Sequence, residues 1–329
     1  MAQGAAKPSP YGIYSLLAAS KPEHPSGLLD KEDAGDSALF EGYVARAQWI
    51  MVEPAAGKFD WHHFDEVQAM AARSGKKFAI AVLGGIHSPS WVYDAGVPRF
   101  GVTLRRNFED EATAKTMPLV WNKLYLEKLG QFIAAMGQRY DRSPQLAYVG
   151  ITGMGATGES YVVRAQEDIP RFNALGGLPA WQKAAEEIID MYAKAFPTTP
   201  IILPMGAPIP GNAGNESIQQ VIDYGFGRYP RHFGVIQCGL NAGSRSQFFL
   251  NGIIQSHSDL SPVGLQMAWS SRGYNAQLLK GTLREALDRG VDLKAHWIEV
   301  YADDVRDPAN SRDLQQAGAA LKRGHRLSP

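Results

Sequence analysis

The chain alternates between two kinds of segment, and that rhythm is its strongest constraint. From residue 40 onward, apolar runs rich in β-formers are separated by amphipathic runs at helical spacing. The β-type runs are "YVARAQWIMV", "KFAIAVLGGI", "LAYVGITGM", "IILPMGA", "FGVIQCGLN", "VGLQMAW" and "AHWIEVY", with an earlier candidate, "YGIYSLLA", at 11–18. Strands that alternate with helices pair in parallel as βαβ units. Eight of them fit an α/β fold of the closed (β/α)8 TIM-barrel type better than an open sheet. A chain of 329 residues is long for one domain. Yet no Pro/Ser/Gly linker, fixed-period repeat or low-complexity segment divides it. The expectation is a single (β/α)8 barrel over 1–329, with 1–10 as a flexible tail.

The helical runs include "WHHFDEVQAMAARSG", "LYLEKLGQFIAAMGQRY", "PAWQKAAEEIIDMYAKAF", "ESIQQVIDYGF" and "NAQLLKGTLREALDRG". In the last of these, Leu278, Leu279, Leu283, Ala286 and Leu287 share one face, and Gly290 reads as its stop. Asp60 is placed to cap the helix that begins at "WHHFDEV". Long loops are expected at 84–119 and 155–178, on the C-terminal face where barrels build active sites.

Several function classes drop out. Lys plus Arg and Asp plus Glu each number 33, with no basic stripe, so no nucleic-acid partner is expected. No apolar run of 18 residues exists, so neither is a membrane span. The lone Cys238 reads as a small buried hydrophobe on a strand and permits no internal disulfide. The polar start "MAQGAAKPSPYG" lacks an apolar core of a signal peptide. It fits a cytoplasmic start or a mature end after signal removal, with a secreted or periplasmic site slightly favoured. His62 and His63 are adjacent, offer no His-x-His or His-x-x-x-His spacing, and are expected at the N-terminal side of the barrel, so no metal is expected. No Gly-x-Ser-x-Gly elbow is present, and Lys77 and Lys294 open strands, the wrong end for a Schiff base.

The stretch "AYVGITGMGATGES" carries Gly153-x-Gly155-x-x-Gly158, the spacing of a dinucleotide fingerprint. That motif must open a helix and be followed by an acid about 20 residues on. Here no helical periodicity follows Gly158, and the position offers "LPAW". A phosphate loop fails too, lacking Gly-Lys-Ser/Thr. No cofactor is expected. The glycines instead permit an irregular turn that presents Glu159 at a strand end.

With those residues in view, "RAQWIMVEPAAGKFDWHHFDEVQAMAARSGKKFAIAV" resembles the second strand, helix and third strand of the large retaining clan of (β/α)8 glycoside hydrolases, which includes β-galactosidases, xylanases and cellulases. The matching positions are Trp49, Glu53, Pro54, Gly57, Phe59, Asp60 and Trp61. "HSPSWV" at 87–92 is similar to the segment after strand three, and "YLEKLGQFIAAMGQRYDRSPQLAYVGITGMGATGE" to the helix and fourth strand that deliver the acid/base glutamate. The likeness runs through the first half of the chain, and the second half shares mainly the rhythm. It implies an oligo- or polysaccharide substrate and Glu159 as the general acid/base.

Such chemistry asks for a second carboxylate. Glu299 in "KAHWIEVYADD" is the best candidate, because an acid inside an apolar β-run is costly unless it is paired or faces a site. The count places Glu299 on strand eight, whereas the resemblance puts the nucleophile on strand seven, where "VGLQMAW" offers Gln266. Three explanations stand open: "YGIYSLLA" is not a barrel strand, the nucleophile has moved, or Gln266 marks a lost one in a sugar-binding relative. Glu53 reads as a loop former, and Asp303 and Asp304 as solvated. Trp49, Trp91, Trp269, Trp297 and Tyr301 near strand ends are candidate sugar platforms, Trp91 and Trp269 foremost. His87, Asn241 and Gln266 are candidate hydroxyl partners. The expected activity is glycoside hydrolysis, retaining, with Glu159 as acid/base and Glu299 as nucleophile. A non-catalytic carbohydrate-binding barrel is the alternative, and a metal-dependent barrel lyase or isomerase a third class.

Overall fold

The computed structural model describes residues 6–26, 37–105, 112–273 and 275–324. Of the expected N-terminal tail, residues 1–5 lie outside the described residues. Within the rest of that tail, Lys7 donates from its backbone to Thr198 O and from Nζ to Ser143 O and Thr199 Oγ1.

All eight β-type runs become strands, each shorter than its run. They are β1 (Gly12–Leu16), β2 (Gly42–Gln48), β3 (Lys77–Leu83), β6 (Leu146–Gly150), β7 (Ile201–Pro204), β8 (Phe233–Leu240), β9 (Val263–Met267) and β10 (Trp297–Tyr301). They close in parallel, in chain order, with β10 returning to β1. β1 is therefore a barrel strand, and Glu299 lies on the eighth. The chain between β3 and β6, expected as loop, holds an antiparallel hairpin of β4 (Arg99–Arg105) and β5 (Ala112–Pro118).

Helices pack around the barrel: α1 (Trp49–Val52), α2 (His62–Arg73), α3 (Ser90–Asp94), α4 (Lys123–Tyr140), α5 (Ile169–Ala174), α6 (Gly177–Ala195), α7 (Asn212–Arg228), α8 (Phe249–His257), α9 (Leu283–Asp292), α10 (Ala302–Val305) and α11 (Ser311–Gly324). Asp60 does not occupy the N-cap of α2, which is Trp61, but its Oδ1 accepts from His62 N at 3.0 Å. The run from Leu278 is not one helix. A short 3-10 turn ends at Leu279, Lys280 and Gly281 take positive φ, and α9 starts at Leu283 and runs past Gly290. α2 descends antiparallel to the strand before it, so His62 and His63 lie at the C-terminal side, against Ser20 beyond β1, Ala47 near the end of β2 and Met51 in α1. The N-terminal side expected for them was incorrect.

The period of two along each strand splits the core. Ile13, Tyr43, Phe78, Val149, Ile201, Val235, Leu265 and Ile298 face the helices. Tyr14, Leu16, Val44, Ala79, Tyr148, Ile202, Ile236 and Trp297 fill the lumen. Gly264 makes room there, since a Cβ at that position would collide with the Trp297 ring. The same alternation turns Arg46, Cys238, Gln266, Glu299 and Tyr301 inward, above the lumen core.

Candidate active site

Glu299 is the middle residue of β10 and is 4% exposed. Its register partners are Tyr14 on β1 and Gln266 on β9. Its Oε1 accepts from Tyr148 Oη at 2.6 Å, a bond that spans the barrel from the fourth strand to the eighth. Burial raises its carboxyl to about 7, against the pull of the Tyr148 hydroxyl and the Arg46 guanidinium.

Glu159 arrives by a different route. The segment after β6 has no regular structure until Gln166. It is nevertheless tied down on three sides. Ile86 N donates to Ala156 O, and the Tyr125 hydroxyl and Trp181 indole donate to the Gly153 and Met154 carbonyls. Ser160 donates to Gly206 O at 2.9 Å and accepts from Gly206 N at 2.8 Å. A Cβ at Gly155 would strike the Glu159 carbonyl, so this glycine lets the loop fold back on itself rather than cradle a phosphate. The loop holds Glu159 on the wall of the lumen mouth. Burial raises its carboxyl to about 7, with Arg164 pulling the other way.

The two carboxylates open on one cavity of about 160 Å³, whose wall also includes Arg46, Leu83, Tyr148, Thr157, Cys238 and Gln266. Burial leads both shifts, and neither glutamate is pushed up by the other. Both instead raise Cys238 and Tyr301, after burial, so the acids flank these two side chains.

The β-galactosidase family of glycoside hydrolase 42 matches residues 42–171. No curated protein matches the sequence. Among solved structures, a psychrophilic family 10 endo-β-1,4-xylanase is similar at 12% identity and TM-score 0.52, over 95% of this chain and 96% of that one. The cold-adapted β-galactosidase from Rahnella sp. R3 is similar at 11% identity and TM-score 0.55, and the β-galactosidase from psychrophilic Marinomonas ef1 at 10% and 0.53. This chain covers 98% and 94% of its own length in those matches but 57% and 59% of theirs. The barrel thus has the fold of these glycoside hydrolases, and the stretch 42–171 matches the β-galactosidase family model.

In this barrel the remaining candidate residues fall into two groups. Gln266 lines the cavity, and Tyr301, close enough to both carboxylates to feel their charge, packs against the exposed Trp269 with ring centroids 6.1 Å apart. Trp297 is fully buried in the lumen core, its ring 5.3 Å from that of Tyr148. Trp49 is buried outside the lumen and donates to Glu53 Oε2, while Trp91 donates to Glu53 O. His87 ends a short turn after β3, with burial and Lys115 lowering its pKa. Asn241 closes the turn after β8, accepting from Gly243 N and donating to Gly239 O.

Asp304 is not solvated. It is fully buried and accepts from Ser271 N and Oγ. The residues missed from sequence are Arg46, Tyr148 and the cavity position of Cys238. Arg46 carried a usable signal, the same as Glu299: a charge inside an apolar strand run. Tyr148 carried none, because an aromatic residue on a strand reads as packing.

Proposed function

We propose that this chain hydrolyses a glycosidic bond in an oligo- or polysaccharide, with Glu159 as general acid and Glu299 as the carboxylate that acts at the anomeric carbon. The observation that carries this reading is that Glu159 and Glu299 are the two acids on one cavity at the C-terminal end of the barrel. In the retaining sequence, Glu299 attacks the anomeric carbon while Glu159 gives its proton to the departing oxygen, and the glycosidic bond breaks. Water then attacks the glycosyl-enzyme, its proton passes to Glu159, and the bond to Glu299 breaks. Burial at both sites supports the proton bookkeeping, since an acid near 7 can hold and release a proton at neutral pH.

The stereochemistry turns on the separation of the two carboxyls, which is about 5 Å in a retaining reaction. A wider spacing of about 6.5–9.5 Å leaves room for water and makes Glu299 the general base of an inverting reaction. Proton NMR of the first anomer released from an activated aryl glycoside decides between the two. Product from either Glu159→Gln or Glu299→Gln at near the unsubstituted rate would sink the role assigned to that residue. Glycan binding by calorimetry, with no product across a broad glycoside panel, would instead favour a carbohydrate-binding barrel.

A further inference from the structure

The cavity holds one hydrogen bond that the two-glutamate scheme does not use. Tyr148 projects from β6 into the lumen, with Tyr14 edge-on at 5.5 Å and Trp297 tilted against it at 5.3 Å. Walled in by these rings, its hydroxyl meets Glu299 Oε1 at 2.6 Å from the opposite side of the barrel. A phenol so buried stays protonated at any working pH, so it acts as a donor throughout. Glu299 Oε1 thus holds the Tyr148 donor, while Oε2 accepts no hydrogen bond among the described residues. Arg46 adds positive charge nearby, but its Nε is spent on Leu17 O and it makes no ion pair within 4.0 Å of Glu299 among the described residues.

We infer that Tyr148 is a positioning residue for the reaction: by donating to Glu299 Oε1 across the barrel it fixes the carboxylate in place and leaves Oε2 as the acting oxygen. The inference rests on the proposed glycosidase reading for its kinetic consequences but not for its electrostatic one. The other titratable or charged groups facing Glu299 are Arg46 from β2, Tyr14 from β1, Cys238 from β8 and Tyr301 from its own strand, with Glu159 across the cavity. None of these donates to Oε1. A charge-assisted hydrogen bond of this kind favours the ionised carboxylate, so its loss should raise the Glu299 pKa.

The test is Tyr148→Phe, which keeps the ring and its packing. Carbon-13 NMR titration of the labelled glutamates, with Glu299→Gln as the assignment control, should show the Glu299 carboxyl titrating about one unit higher in Tyr148→Phe. On an activated aryl glycoside, kcat should fall about ten- to hundredfold with KM little changed, and the acid limb of the pH profile should move up with the NMR value. A Glu299 titration that is unchanged or lowered in Tyr148→Phe overturns the inference whether or not the protein cleaves glycosides. If the NMR shift appears and no glycoside is cleaved by the unsubstituted protein, the glycosidase reading fails while the Tyr148–Glu299 coupling stands. A kcat loss with an unmoved acid limb would mean that Tyr148 only packs, and would also overturn it.

Discussion

Two corners of this barrel each bury a glutamate, and they treat it in opposite ways. At the C-cap of α1, just beyond β2, Glu53 is 3% exposed and each of its carboxylate oxygens has a donor. Trp49 Nε1 donates to Oε2 at 3.0 Å and Gly57 N to Oε1 at 2.8 Å, while Trp91 takes the backbone carbonyl. Burial raises its carboxyl, and those two donors oppose the shift. At the lumen mouth Glu299 has one protein donor, and Glu159 has none among the described residues. Burial by itself therefore does not mark a reactive acid. What separates the corners is the setting of the oxygens: at Glu53 each oxygen has a donor, whereas Glu159 and Glu299 have fewer donors and line a cavity.

The largest effect should follow that division. Glu159→Gln and Glu299→Gln are each expected to lower kcat by at least about 10³-fold with the fold intact. Glu53→Gln should leave kcat within a few-fold. Azide should restore turnover with inverted product in the Glu299 variant if Glu299 is the nucleophile. A large kcat loss in Glu53→Gln at unchanged melting temperature would erase the contrast.

The next effect is on stability, and its sign differs between the corners. Glu299 titrates near 7 in the fold against 4.5 as its ordinary value. A raised carboxyl favours the folded state fully below pH 4.5, and that contribution is lost as pH climbs through about 7. Ionising it in place costs about 3 kcal/mol at most. Glu299→Gln removes the cost, so its melting temperature should exceed that of the unsubstituted protein at pH 8 and approach it at pH 5. Glu53→Gln places an amide NH₂ against one of two N–H donors and leaves a buried donor unpaired, a loss of about 1–3 kcal/mol at every pH. Thermal denaturation at pH 5 and pH 8 reads both. Under the proposed roles the same titrations should make the rate profile narrow: activity should fall on the acid side as Glu299 takes a proton and on the alkaline side as Glu159 loses one, with the two limbs meeting near pH 7.

The contrast between the corners also explains how far the sequence could be read. Eight strands were legible because lumen and outer shell are both apolar, which gives each strand a short continuous run bounded by helical periodicity. The hairpin of β4 and β5 was not, since "RFGVTLR" and "ATAKTMP" alternate too weakly to stand out from loop. The missed α11 has Leu314, Ala317 and Leu321 on one face, a pattern of the usual kind but only three residues strong. The break at Lys280 and Gly281 was signalled by Thr282-x-x-Glu285, a capping box that the structure forms. Glu159 and Glu299 were found as acids next to or inside apolar runs, and Arg46 obeyed the same rule. The Tyr148 hydrogen bond was invisible, because its partner is 151 positions away and only barrel closure brings the two together.

The smallest expected effect lies at the rim. Trp269 is 40% exposed and tilts over Tyr301, which borders both carboxylates. Trp49, by contrast, is 1% exposed and holds Glu53. An exposed indole beside a site can stack on the apolar face of a sugar without cost to the core, while a buried one cannot leave its place. Trp269→Ala should therefore raise KM for an oligosaccharide by a few-fold, about 1 kcal/mol, with kcat and melting temperature nearly unchanged. Trp49→Phe should leave KM alone and lower the melting temperature through the lost indole donor. If Trp269→Ala leaves KM unchanged for oligosaccharides of every length, the aromatic rim is not a sugar platform, and recognition rests on the walls of the lumen cavity.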